Sequence, residues 1–255
     1  MRVQLLRVAA LIGLLFLAGF LLPKLGPEAP GAYEGVVAAP TSPRLTGAPT
    51  PTTTVPGPPP GFPSMEYAPP EIEVPDGDPI PIDTKYGISY TVPGDWRNDS
   101  RAVAGWGGSG GSVTYGAIAI YGYDYCPEHH DGARKAMSGM TGRNGVDVAT
   151  AAFEASRQAE IIFRDQPDDA VRIDYSGPVE FEIDGAPSVR YSVRASNIAQ
   201  KFDCDPTEAT FDVVATQGYS NATVAVFIVQ TDQRIQGALA RSVVDQVIST
   251  LRRKN

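Results

Sequence analysis

The chain has 255 residues, 21 Lys plus Arg against 29 Asp plus Glu, and a formal net charge of −8. Phosphate neutralisation needs clustered Lys and Arg, so this balance argues against nucleic acid as a partner. The one dense basic cluster, Arg252, Arg253 and Lys254, sits at the C-terminus and reads as a charged, solvated tail.

The first seven residues carry Arg2 and Arg7 and no acid, and Val8 to Leu22 is an unbroken run of apolar and small residues. That is an export signal, and positive charge kept on the cytoplasmic side places the rest of the chain outside. No A-x-A-like cleavage site follows the run, so residues 1–22 are expected to stay as a single-pass membrane anchor. Fifteen helical residues span only about 22 Å, which leaves secretion after cleavage as the alternative. Leu17-Ala18-Gly19 has the start of a lipoprotein signal, but Phe20 stands where lipidation needs a cysteine thiol.

Residues 23–82 hold 17 of the 23 prolines, including Pro58-Pro59-Pro60. Proline fixes φ and removes backbone donors, so this stretch reads as a disordered, extended Pro/Thr-rich linker. At about 3.1 Å per residue it could reach beyond roughly 150 Å. Residues 83–255 are then one extracytoplasmic domain, long enough for its own core.

Within that domain, Ile88, Tyr90 and Val92 alternate with polar residues and stop at Pro93-Gly94, which predicts a half-buried strand. Val113 to Tyr121 is apolar on both parities, with Tyr115, Ala117 and Ala119 placed on one face, and predicts a central strand. Between them, five of the seven residues from Gly105 to Gly111 are glycine, which suits a flexible hairpin or lid. Ala133, Ala136, Met137 and Met140 recur at helical spacing and predict a short helix. Val148 to Arg164 predicts a stronger helix, with Ala152, Phe153, Ala159, Ile162 and Phe163 on one side.

Strands are predicted at Val171–Tyr175, Val179–Ile183, Val189–Ala195, Thr210–Thr216 and Ala222–Gln230. In the third, Val189, Tyr191 and Val193 face one way, and Arg190, Ser192 and Arg194 the other. Leu239, Val243, Val247 and Leu251 then mark an amphipathic C-terminal helix. Neighbouring strands with helical sequence in the middle and at the end make the class α+β, an antiparallel sheet flanked by helices.

Gly87 to Trp96, read G-I-S-Y-T-V-P-G-D-W, the central helix, the run of strands and the closing Asp245 to Arg252 resemble the PsbP-like α/β/α sandwich of actinobacterial envelope proteins. That group includes LpqN-type lipoproteins and many domains of unknown function. The resemblance covers residues 83 to 253 and implies a non-enzymatic docking or assembly domain.

Cys126 and Cys204 are the two cysteines of the chain, and an even count outside the cytoplasm predicts a disulfide between them. Closing so long a loop stabilises by roughly 4 kcal/mol in the chain-entropy picture. His129 and His130 follow Cys126 and with Cys204 could form a mixed metal site. A C-x-x-H-H cluster lacks the paired second half of a zinc module, and thiolates oxidise outside the cell, so no metal and no cofactor is assigned.

Gly107 to Gly111 formally matches G-x-S-x-G, but a strand rather than a helix follows it. A triad of Ser109, Asp124 and either His129 or His130 therefore has no positional support, and no catalytic residue is assigned. Asp165, Asp168 and Asp169 read as a solvated loop, and Asn98 and Asn221 as chance glycosylation sequons.

The expected function is a membrane-anchored extracytoplasmic domain that is not an enzyme and docks an unidentified protein or polymer of the cell envelope. The alternative is a small carrier of a lipid or other apolar ligand, walled by Trp96, Trp106, Tyr115, Tyr121, Tyr123 and Tyr125. A serine hydrolase using Ser109 is the remaining alternative.

Overall fold

The computed structural model describes residues 68–108, 111–129, 132–164 and 170–254. The anchor segment, most of the linker, Ser109, His130, Asp165, Asp168 and Asp169 lie outside these residues. No helix among the described residues is long and apolar enough to cross a membrane.

A seven-stranded antiparallel sheet forms the centre, in the order β3-β4-β5-β9-β8-β7-β6. Its strands are β3 (Trp96–Gly108), β4 (Gly111–Tyr121), β5 (Ala136–Arg143), β6 (Arg172–Ile183), β7 (Ala186–Ser196), β8 (Glu208–Gln217) and β9 (Val224–Gln233). One face is covered by α1 (Val148–Arg157) and α2 (Ala159–Phe163). The other is covered by α3 (Arg241–Ser249) and a small sheet of β1 (Gly77–Asp83), β2 (Ile88–Gly94) and β10 (Arg252–Arg253), in the order β1-β2-β10. The class is α+β with an antiparallel sheet, as expected, but the second outer layer is a small sheet plus one helix rather than helices alone.

Each face has its own core. Ile118, Ile120, Met137, Phe211, Val213 and Ile228 meet Ala151, Ala152, Ala155 and Ala159 of the helices. Alanines there let α1 approach the sheet closely, and Asp147 caps it by accepting from the Thr150 N–H at 2.8 Å. On the opposite face Tyr90, Val92, Phe227 and Val229 pack with Val244, Val247, Ile248 and Leu251.

The segment expected to be a helix at Ala133 to Met140 is instead strand β5. Ala136, Met137, Ser138 and Met140 are all buried, and β5 sits between β4 and β9. A short run that is apolar on all sides has no periodicity to separate strand from helix. Gly139 makes the fit close, since a Cβ there would lie 2.8 Å from Ile118 Cδ1.

A bulge between Gly116 and Ala119 changes the facing of β4. Ala117 takes φ 51°, so Tyr115 joins Ile118 and Ile120 on the helix face while Ala117 and Ala119 face the small sheet. Tyr90 Oη donates to Ala117 O at 2.5 Å at this bulge. Phe153 also departs from expectation: it is 53% exposed, edge-on to Tyr191, and the buried stripe of α1 is Ala151, Ala152, Ala155 and Ser156.

Two stretches read as unstructured are paired. All of β1 but Asp83 lies in the stretch assigned to the linker, and its prolines are tolerated because β1 is an edge strand with Ile82 buried. Arg252 and Arg253 of the basic tail form β10, Lys254 Nζ lies 2.6 Å from Asp83 Oδ2, and the Arg253 guanidinium covers the Tyr219 ring.

Asp212 of β8 is wholly buried and faces α3. Arg190 Nη2 donates to its Oδ1 at 2.8 Å, Arg241 Nη1 to its Oδ2 at 2.6 Å and Ser192 Oγ to its Oδ1 at 2.6 Å. Arg190 reaches on to Asp245 of α3 at 2.7 Å. Removing one member of such a set leaves buried charge unpaired. Asp212→Ala is expected to cost about 3–5 kcal/mol, read as a lower urea midpoint at unchanged m-value. A shift under about 1 kcal/mol would show that the arginines find other partners.

Candidate functional site

β9 positions the site. Val226 and Ile228 point into the helix-side core, and the same parity carries Gln230 and Asp232 past the cover of the helices. There a cleft of about 350 Å³ opens, lined by Tyr125, His129, Arg134, Lys201, Gln230 and Asp232 among others. Its walls are the loop after β4 and the loop between β7 and β8, and the disulfide Cys126–Cys204 joins those loops with Cα atoms 5.6 Å apart. The pairing expected from the cysteine count is the one present.

Tyr125 Oη donates to Asp232 Oδ2 at 3.3 Å, and the Gln230 amide also bonds the Asp232 side chain. Burial pushes the Asp232 carboxyl up to about 7, against the lowering effects of Tyr125, Arg134 and Gln230. The Asp205 charge adds to the rise. Burial lowers the pKa of Arg134, and Asp232 opposes that shift. Gln230 Oε1 is buried with no hydrogen-bond partner. A buried acceptor without a donor is costly, and a bound N–H or O–H group would satisfy it.

Asp205 forms the other wall. It is buried, bonds His129 Nε2 through Oδ1, and accepts through Oδ2 from the backbone N–H groups of Lys201 at 2.7 Å and Phe202 at 2.9 Å. Burial would raise its pKa, but these bonds hold the carboxyl below the usual range. His129 is therefore tied to Asp205 and to the edge of Phe202. Asp124 lies in a left-handed turn at φ 60°.

Two sets of potential ligand atoms lie within 4.8 Å of one another: Cys126, Glu128 and Cys204, and Cys126, His129 and Asp205. With both sulfurs in a disulfide, neither set offers a thiolate.

The aromatic residues named as walls for an apolar ligand are mostly packed elsewhere. Trp96 and Tyr115 are buried in opposite cores, Trp106 packs edge-on to Tyr115, and Tyr123 is exposed under the Arg97 guanidinium. Tyr125 alone of that set lines the cleft. Gln230, Asp232 and Asp205 were missed. The available signal was Gln230 and Asp232 continuing, as polar residues, the inward parity of an otherwise apolar strand.

Geometry of this kind defines an antiparallel α+β domain with a polar cleft at one end of its sheet. The chain belongs to the family described as "Domain of unknown function (DUF8017)", which matches residues 73–255. No curated protein matches. Among solved structures, the solution structure of cyanobacterial PsbP (CyanoP) from Synechocystis sp. PCC 6803 is similar, with 12% identity and a TM-score of 0.38. The match covers 67% of this chain and 88% of that one. So slight a likeness carries no argument about the cleft.

The raised Asp232 pKa makes stability fall with pH. The folded chain keeps this proton up to about 7, whereas the unfolded carboxyl loses it near 3.8, so the folded state binds more protons between those values. Asp232→Asn should therefore gain stability relative to the parent as pH rises through that window. Urea midpoints of both proteins from pH 4 to 7.5 test this, and a constant difference between them would contradict it.

Proposed function

We propose that this chain is a non-enzymatic domain, tethered outside the cytoplasmic membrane, that docks a protein or polymer of the cell envelope through the cleft beside β9. The observation that carries the reading is Gln230 Oε1, buried and unpartnered next to Asp232 in an open cleft. Together they call for a partner rich in N–H or O–H donors, such as the hydroxyl or amine groups of a glycan or an extended peptide. Asp232 sits where either protonation state is close at hand, so it can accept from an amine or donate to a hydroxyl.

Placement at the membrane is supported by Arg2, Arg7, the apolar run to Leu22 and the proline-rich stretch that follows. Likeness of Gly87 to Trp96 and of Asp245 to Arg252 to PsbP-like, LpqN-type actinobacterial envelope proteins supports a docking role. An apolar carrier has less support, because Trp96 and Tyr115 belong to the cores.

A photo-crosslinking amino acid placed at Tyr125 of the full chain in intact cells should yield a discrete adduct. The same probe at exposed Phe153 should not, and Gln230→Ala should diminish the Tyr125 adduct. Equal labelling at both positions, or no adduct at Tyr125, would sink the reading.

A further inference from the structure

Glu128 stands in an odd place. Its Oε2 lies 3.2 Å from Cys204 Sγ and 3.7 Å from Cys126 Sγ. A disulfide sulfur carries no proton, so the carboxylate gains no hydrogen bond from either atom. On the other side of Cys126, His129 Nε2 is held by Asp205, which two backbone N–H groups fix in turn. A carboxylate that orients a histidine in this way is the arrangement found behind metal-bound imidazoles.

We infer that reduction of Cys126–Cys204 turns this corner of the cleft into a zinc site, with Cys126 and Cys204 thiolates, the Glu128 carboxylate and His129 as ligands. His129 keeps its Nε2 bond to Asp205, which leaves Nδ1 for the metal. Two sulfurs, one imidazole and one carboxylate suit the tetrahedral preference of Zn²⁺. The potential ligand atoms form two sets that share Cys126, one with Glu128 and Cys204 and one with His129 and Asp205, so Cys204 supplies from across the fold the second sulfur that the local C-x-x-H-H stretch lacks. Glu128 is exposed and Cys204 half-buried, so reductant and metal have access.

The chemistry needs a dithiol reductant. Its thiolate attacks one sulfur of the disulfide to form a mixed disulfide, then its second thiol displaces that bond, and the reductant leaves as its own disulfide. Two electrons and two protons end on Cys126 and Cys204. Zn²⁺ then binds both thiolates, and the two protons pass to solvent. The disulfide and the zinc site are thus mutually exclusive states of one pair of loops.

The test uses the full chain, oxidised or reduced with a non-chelating phosphine, dialysed against Zn²⁺ or Co²⁺. Reduced protein should hold one zinc per chain and show a thiolate-to-cobalt charge-transfer band, and oxidised protein should show neither. Glu128→Gln and His129→Ala should each weaken zinc binding at least about tenfold, and Asp205→Asn by a comparable factor. If reduction alone loosens the fold, zinc should restore the near-ultraviolet circular dichroism. Reduced protein that binds no zinc, zinc that fails to restore a loosened fold, or Glu128→Gln and His129→Ala variants that bind zinc as tightly as the parent overturn the proposal. None of these outcomes depends on the docking reading, which Tyr125 crosslinking tests in the oxidised chain.

Discussion

A wholly buried carboxylate dictates how this domain is assembled. Asp212 lies at the middle of β8, under α3, where water cannot reach it, so its charge must be met by protein. Arg190 and Ser192 come from β7, next to it in the sheet, and Arg241 comes from the first turn of α3. In this placement of α3 the Arg241 fork meets both carboxylate oxygens, Nη1 on Oδ2 and Nη2 on Oδ1. That placement also drops Val244, Val247 and Ile248 onto Phe227 and Val229, and lets Leu251 lead into β10 beside β2. Replacing such a buried set by apolar side chains of like volume is often neutral for stability, whereas removing one member alone is costly.

The cleft arises where this close packing ends. β9 is dry on both faces from Val224 to Val229, and the helices above it are short. Beyond their reach the same strand parity presents Gln230 and Asp232, and two long loops close in without filling the space. Backbone bonds close each loop at its base, Asp124 N to Ala133 O in one and Ile198 N to Thr207 O in the other. Farther out, the Cys126–Cys204 bond and the grip of the Lys201 and Phe202 amides on Asp205 hold them.

Alternation made the outer strands legible: Val189, Tyr191 and Val193 bury one face of β7 while Arg190 and Ser192 make the polar set above. The amphipathic spacing of Val244, Val247, Ile248 and Leu251 likewise placed α3. β5 was illegible because both of its faces are covered, which erases any period. Ala117 hid a bulge, since nothing in its side chain signals φ 51°. β1 was masked by Pro79 and Pro81, which an edge strand accepts. At the site, pairing of the cysteines could be read from their number and setting. Asp232 left only the parity of β9 as a signal, and Asp205 left none, because its bond to His129 joins loops far apart in sequence.

The two ends of β9 have different neighbours. Ala68 and Pro69, where the described chain begins, line a cavity of about 180 Å³ with Lys85 and Tyr86. Lys85 O accepts from Ser220 and Asn221 in the turn that precedes β9. Asp232 and the cleft lie at the other end of the strand. Between the two places β9 is paired on both sides, with β5 from Val224 to Thr231 and with β8 from Val224 to Gln233, and those hydrogen bonds lie across the strand direction.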